Sequence, residues 1–237
     1  MKKAIAQVSV VPVRSDKSDK AEMVTQMLYG ESADVLEVQA NWTKIKMHFD
    51  DYEGWVDTKQ LKVVSDEFLE QRKITLVAQP YKVVTTGSGT ILLSIGAEVE
   101  SDKAFDGTET KRETLGLLAR QFENVPYLWG GRSFFGIDCS GFTQLVYKVN
   151  GVSIPRDAYQ QAEQGVVLDF IEEAQLGDLA FFENEEGYIH HVGMMLEDNK
   201  IIHAHGKVRI DVLDSIGIFN QEQNKHTHKL RFIKTLL

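Results

Sequence analysis

The chain has 237 residues, 43% of them hydrophobic and 26% charged, and carries a formal charge of −9. These are the proportions of an ordinary globular protein with one large domain or two modest ones. The negative balance argues against nucleic acid or an anionic membrane surface as partner, and the single cysteine excludes an internal disulfide and a cysteine-rich metal site.

The opening segment, MKKAIAQVSVVPVRS, has two lysines before an apolar run. That run is short and is broken by Gln7 and Ser9, and no small-residue cleavage site follows. It therefore reads as a first strand and not as a secretory signal. No stretch reaches membrane-spanning length without a charge. The expected location is cytoplasmic, or periplasmic or extracellular if an export signal has been removed.

Residues 1–64 read as short strands. Val8, Val10, Val11 and Val13 form one β-rich run, with Pro12 pointing to a sheet edge. Met23–Tyr29 is apolar and stops at Gly30; Val35, Leu36 and Val38 follow, then Trp42, Ile45 and Met47 in alternation. Gly54 supplies a turn before a further strand, and strands at this spacing predict a small β-barrel. Residues 65–107 hold three more strand-like runs, ITLVAQ, YKVVTT and TILLSI, with GSG as a hairpin turn. They read as a β-rich connector or as a partial second barrel. The polar run AEVESDKAFDGTETKRE is the expected linker.

A second domain is expected over residues 108–237. Leu115, Leu117, Leu118, Ala119 and Phe122 give an amphipathic helix, and a second helix follows Cys139 and ends at Gly151. LGDLAFFEN, YIHHVGMMLEDN, KIIHAHG, KVRIDVLD and HKLRFIKTL then read as antiparallel strands. Helices first and an antiparallel sheet afterwards make this an α+β domain.

The stretch Tyr127–Phe142, YLWGGRSFFGIDCSGF, holds the only cysteine. A cysteine in the first turn of a helix meets unpaired N–H groups and the positive end of the dipole, which favours a nucleophilic thiolate. It needs a base, and the base needs an orienting group. His190 and His191 are adjacent on a strand, so at most one faces the site; Gly193, two residues after His191, leaves room for close approach. His203 lies across a hairpin from His191 and can fix its tautomer, with His205 as a rival. His226 and His228 fall in a polar loop and are expected to be solvated. No spacing puts three histidines on one face with a carboxylate, so neither a metal nor any other cofactor is expected.

YLWGG, DCSGF, PRD, GDLAFF, HHVGMML and IIHA, in that order, resemble the NlpC-type cell-wall cysteine peptidases of the papain-like superfamily. VPVRS, VTQMLYGE, NWTKIKM and YEGWV resemble the bacterial SH3-like domain of cell-wall enzymes. Together they are most similar to the γ-D-glutamyl-L-diamino acid endopeptidases, or dipeptidyl-peptidases VI. The resemblance implies a papain-like α+β peptidase domain behind a small SH3-like barrel. It implies hydrolysis of the γ-D-Glu–L-diamino acid bond (L-Lys or meso-diaminopimelate) in peptidoglycan stem peptides with a free N-terminal L-Ala. L-Ala-γ-D-Glu would be released, in murein peptide recycling. Carried over, Cys139 is the nucleophile, His191 the general base and His203 the orienting member; Tyr127 helps the Cys139 N–H hold the oxyanion. Asp157 supplies a buried anion for the alanine amine. Asp138 and Ser140 bind the D-Glu portion, and Arg156 pairs with a substrate carboxylate or with Asp157. Glu22 and Tyr52 of the barrel close the pocket. The alternatives are an exported hydrolase of intact peptidoglycan and a non-catalytic wall-binding module.

Overall fold

A computed structural model of the chain describes residues 2–87, 89–102 and 111–237. They divide into two compact units, Met1–Gly107 with Leu128–Gly136, and Thr108–Tyr127 with Ile137–Leu237.

In the first unit, alternation along short strands sends one face of each into a shared core. The strands Lys2–Ala6, Val10–Arg14, Met23–Leu28, Ser32–Gln39, Trp42–Met47, Glu53–Asp57 and Leu61–Val64 form one antiparallel sheet. Its interior is Ala4, Ala6, Val11, Val13, Met27, Ile45, Met47 and Val56. The strand holding Pro12 is not at the edge. It lies between Met23–Leu28 and Glu53–Asp57, but its pairing with the latter is confined to Arg14↔Trp55. The missing N–H of Pro12 therefore interrupts no ladder on that side.

The segment after the barrel belongs to the same unit. It opens with a helix, Asp66–Gln71, capped by the Ser65 hydroxyl. Tyr81–Thr86 and Gly89–Ser94 pair as a hairpin; Ser88, in the expected GSG turn, lies outside the described residues. Ile74–Leu76 pairs with Glu98–Glu100, a strand inside the segment expected to be a linker. Residues 103–110 of that linker lie outside the described residues.

The boundary of the second domain differs from the sequence reading, because Leu128–Gly136 goes with the barrel unit. Gly130 has φ +70°, and a Cβ there would stand 2.1 Å from the Met23 carbonyl oxygen. Only glycine permits that approach. Arg132 is fully buried, donates to both Glu31 carboxylate oxygens at 2.9 Å, and lies over the Phe49 ring at 5.0 Å. The loop is thus fastened by a buried ion pair that polarity alone would have assigned to the surface.

In the second unit, Lys225–Thr235, Leu179–Glu183, Ile189–Met195, Lys200–His205, Lys207–Leu213 and Gly217–Asn220 are neighbours in that order, and Gly217–Asn220 pairs back onto Lys225–Thr235. Ala180, Phe182, Met195, Ile201, Leu213 and Ile218 form a core on this sheet. The helix Cys139–Val149 packs against the strands Ile189–Met195 and Lys200–His205, and its residues Cys139–Lys148 are all buried. It ends at Asn150, after which Gly151 takes φ 81° as the left-handed residue past the cap. Among the described residues α-helix is otherwise confined to Asp66–Gln71, Arg112–Arg120 and Ala158–Gln161. The chain is therefore richer in sheet than an α+β label conveys.

Arg132→Met is expected to destabilise the protein by about 3–5 kcal/mol, since it strands the Glu31 carboxylate in the interior. Adding Glu31→Gln should recover part of the loss. Urea denaturation measures both; a change below about 1 kcal/mol for the single variant, the worth of an exposed pair, would show that the ion pair does not hold the loop.

Candidate active site

Cys139 opens its helix, and Asp138 caps it by accepting from the Gly141 N–H at 2.7 Å. Arg156 clamps that cap, donating to the two Asp138 oxygens at 3.0 and 2.6 Å and to Ser140 Oγ at 2.8 Å. Gln161 completes the network, donating to the Ser140 carbonyl at 3.0 Å and accepting from Thr143 Oγ1 at 2.7 Å. Asp138, Ser140 and Arg156 are all buried. These three, the expected substrate-binding residues, are hydrogen-bonded to one another. A buried guanidinium requires a carboxylate, and Asp138 supplies one, while the charge of the adjacent Asp157 also favours the cation. Asp157 is half-buried at the start of Ala158–Gln161. Its N–H donates to Gln160 Oε1 at 3.3 Å.

The Cys139 thiol is pushed up to about 12, first by burial and then by the Asp138 carboxylate; the Val192 and Ser140 main-chain N–H groups and Arg156 pull the other way. The helix terminus was expected to lower this value. Desolvation of the charged form outweighs the partial charge at the helix tip. The same contacts place the sulfur beside the main chain of Val192, the residue after His191. Tyr127 is half-buried, its phenol also raised to about 12 by burial and next by the nearby Cys139 and Asp138 charges. Its N–H donates to the Gly206 carbonyl at 3.0 Å.

The strand carrying His191 is irregular where it matters. His191 lies opposite Phe182, and a bulge follows, with Ile189 opposite Glu183. His191 is buried and His190 exposed. His191 Nε2 is 2.9 Å from His203 Nδ1, and His203 Nε2 is 3.0 Å from Asp211 Oδ2. Arg209 holds Asp211 from behind through Nε at 2.7 Å and a second nitrogen at 3.0 Å. Gly193 permits the two strands to close, for a Cβ there would stand 2.9 Å from that of His203.

This line has a direction. An ionised Asp211 only accepts, so His203 donates from Nε2 and keeps a lone pair on Nδ1. His191 therefore donates from Nε2, which leaves its Nδ1 unprotonated and able to accept a proton. Burial holds both rings below the ordinary histidine value, His191 well below it.

Asp211 and Arg209 escaped the sequence reading. The signal was present: R-I-D lies on the strand paired with His203, with His203 opposite Arg209, and alternation returns Asp211 to the same face. His228 also departs from expectation. It is half-buried rather than solvated, its ring stacked on that of His191 at 4.2 Å. His226 is exposed and pairs with Asp214 at 2.8 Å. Glu22 and Tyr52 lie in the first unit. Glu22 is exposed and accepts from Trp129 Nε1 at 2.6 Å; Tyr52 packs against the barrel core.

Residues 124–228 match the NlpC/P60 family, and residues 13–61 match the bacterial dipeptidyl-peptidase SH3 domain. A gamma-D-glutamyl-L-lysine dipeptidyl-peptidase of Bacillus cereus is 30% identical over 226 residues, covering 77% of this chain and 67% of that protein. A Bacillus subtilis protein of the same name is 52% identical over 87 residues, covering 35% of this chain and 28% of the relative. The crystal structure of an NlpC/P60 family protein from Bacillus cereus superposes with a TM-score of 0.83 at 23% identity, covering 99% of both chains. The chain belongs to the NlpC/P60 family of cysteine peptidases, with an SH3-like domain preceding its NlpC/P60 domain.

Proposed function

We propose that the chain is a cysteine endopeptidase of papain-like architecture that hydrolyses the γ-D-Glu–L-diamino acid bond of peptidoglycan stem peptides bearing a free N-terminal L-Ala. The observation that carries the reading is the directed line Arg209–Asp211–His203–His191, with the next residue, Val192, against a buried cysteine at a helix start. The substrate assignment is supported by the names of the two Bacillus relatives.

Cys139 and His191 both rest uncharged, the thiol raised and the imidazole lowered. The reaction then begins with proton transfer from Cys139 Sγ to His191 Nδ1 as the sulfur attacks the scissile carbonyl. The imidazolium that forms is stabilised through His203 by the Asp211 carboxylate. The Cys139 N–H and the Tyr127 hydroxyl receive the oxyanion. His191 gives its proton to the leaving amine of the diamino acid. It next takes one from water, which hydrolyses the thioester and releases L-Ala-γ-D-Glu. Asp157, next to the residue that fixes the Cys139 helix start, receives the alanine ammonium.

Mass spectrometry of L-Ala-γ-D-Glu-L-Lys and its diaminopimelate counterpart is expected to show L-Ala-γ-D-Glu from at least one. Acetylating the alanine amine should lower kcat/KM by roughly 10²-fold or more, and Asp157→Asn should do the same to the free peptide, since each leaves a charge unpaired. Equal turnover of acetylated and free peptide would remove the role of Asp157; intact peptides would remove the substrate.

The resting thiol gives a second test. In His191→Ala, iodoacetamide labelling of Cys139 should keep accelerating past about pH 9, because a thiol raised to about 12 stays protonated above the ordinary value of about 8.5. A plateau below about pH 8 would mean a thiolate stabilised without its base.

A further inference from the structure

The relay to Cys139 needs two imidazoles, His191 and His203. A third, His228, lies outside the relay, yet one ring nitrogen from each of the three falls within 4.8 Å of the others. No spacing in the sequence signals this group, because His228 enters from the final strand, Lys225–Thr235, far from the other two in the chain. Its Nε2 is 3.3 Å from His205 Nδ1, so a fourth imidazole stands alongside. Asp211 grips His203 on the side away from His191.

We propose that His191, His203 and His228 form a binding site for a zinc-class divalent cation, and that occupancy switches the peptidase off. Three neutral imidazoles are the donor set that zinc and its borderline-soft neighbours select. Zinc–nitrogen bonds of about 2.0–2.1 Å demand a tetrahedral nitrogen spacing of about 3.4 Å. The 2.9 Å between His191 Nε2 and His203 Nδ1 must open slightly, and the His228 ring, stacked on that of His191 at 4.2 Å, must turn out of the stack so that its lone pair meets theirs at one ion. The Asp211 carboxylate behind His203 is the outer-shell partner that zinc-bound imidazoles ordinarily have.

The inhibitory consequence rests on the proposed role of His191 as base. The cation takes the lone pair of His191 Nε2, the nitrogen that otherwise carries the proton shared with His203. That proton moves to Nδ1, and the ring stays neutral. Nδ1 then has no lone pair for the thiol proton, so sulfur cannot be activated while the cation is bound.

The test reads metal binding directly, on a protein without the thiol. Cobalt(II) added to Cys139→Ala should give the visible d–d absorption of a tetrahedral nitrogen site and raise the thermal midpoint. His228→Gln in that background should weaken cobalt binding by roughly tenfold to a hundredfold. His226→Gln should leave it unchanged. In the enzyme with Cys139 intact, zinc should inhibit cleavage, a chelator should restore it, and His228→Gln should raise the inhibitory concentration in step. Absence of cobalt binding by Cys139→Ala, with zinc still inhibiting the intact enzyme, would put the metal on the thiol and overturn the site. Unchanged cobalt affinity in a folded His228→Gln protein would do the same. Cobalt binding without peptidase inhibition would spare the site and refute the assignment of His191 as base.

Discussion

The hydrogen bond between His203 and Asp211 gives the site its direction. Two buried neutral imidazoles facing each other could share a proton either way, and only one arrangement leaves an acceptor at the far nitrogen of His191. The carboxylate makes the choice because it can only accept. Arg209 holds that carboxylate in place with two hydrogen bonds, so Asp211 need not turn toward solvent. The cost of burying the acid is offset by two partners rather than one.

The other half of the site is governed by burial. The start of the Cys139 helix is fixed by a closed set of contacts among Asp138, Arg156, Ser140, Gln161 and Thr143. Closure has an electrical effect. It removes water from the sulfur and leaves the Asp138 carboxylate nearby, and both disfavour the thiolate. A helix terminus by itself shifts energies by only about 0.3–1 kcal/mol at exposed positions, too little to reverse desolvation. In the proposed reaction a neutral thiol and a neutral imidazole are the starting pair, and charge separation is deferred to the step in which the relay behind His191 can stabilise it.

Much of this was legible in the residues themselves. Alternation in Trp42–Met47 and its neighbours announced the barrel, and DCSGF before an apolar run announced the buried helix that Cys139 opens. Adjacency of His190 and His191 meant that only one could face inward. Polar pairing was less legible. Arg156 precedes an aspartate and reaches back to an earlier one; Arg132 sits in a glycine-rich loop and is buried against Glu31. Neither partner is local, and side-chain charge carries no record of tertiary neighbours. His228 was hidden for the same reason: a polar surrounding sequence says nothing about a strand that closes a sheet onto its own first members. Asp211 was recoverable from hairpin register, once His203 was placed opposite Arg209.

The most direct measurement of the central claim is the tautomeric state of the two rings, read from the ¹⁵N chemical shifts of imidazole-labelled protein at neutral pH. The account predicts both rings neutral, with His203 and His191 each protonated at Nε2 and bare at Nδ1. A proton on Nδ1 of His191 in the metal-free resting protein would contradict it.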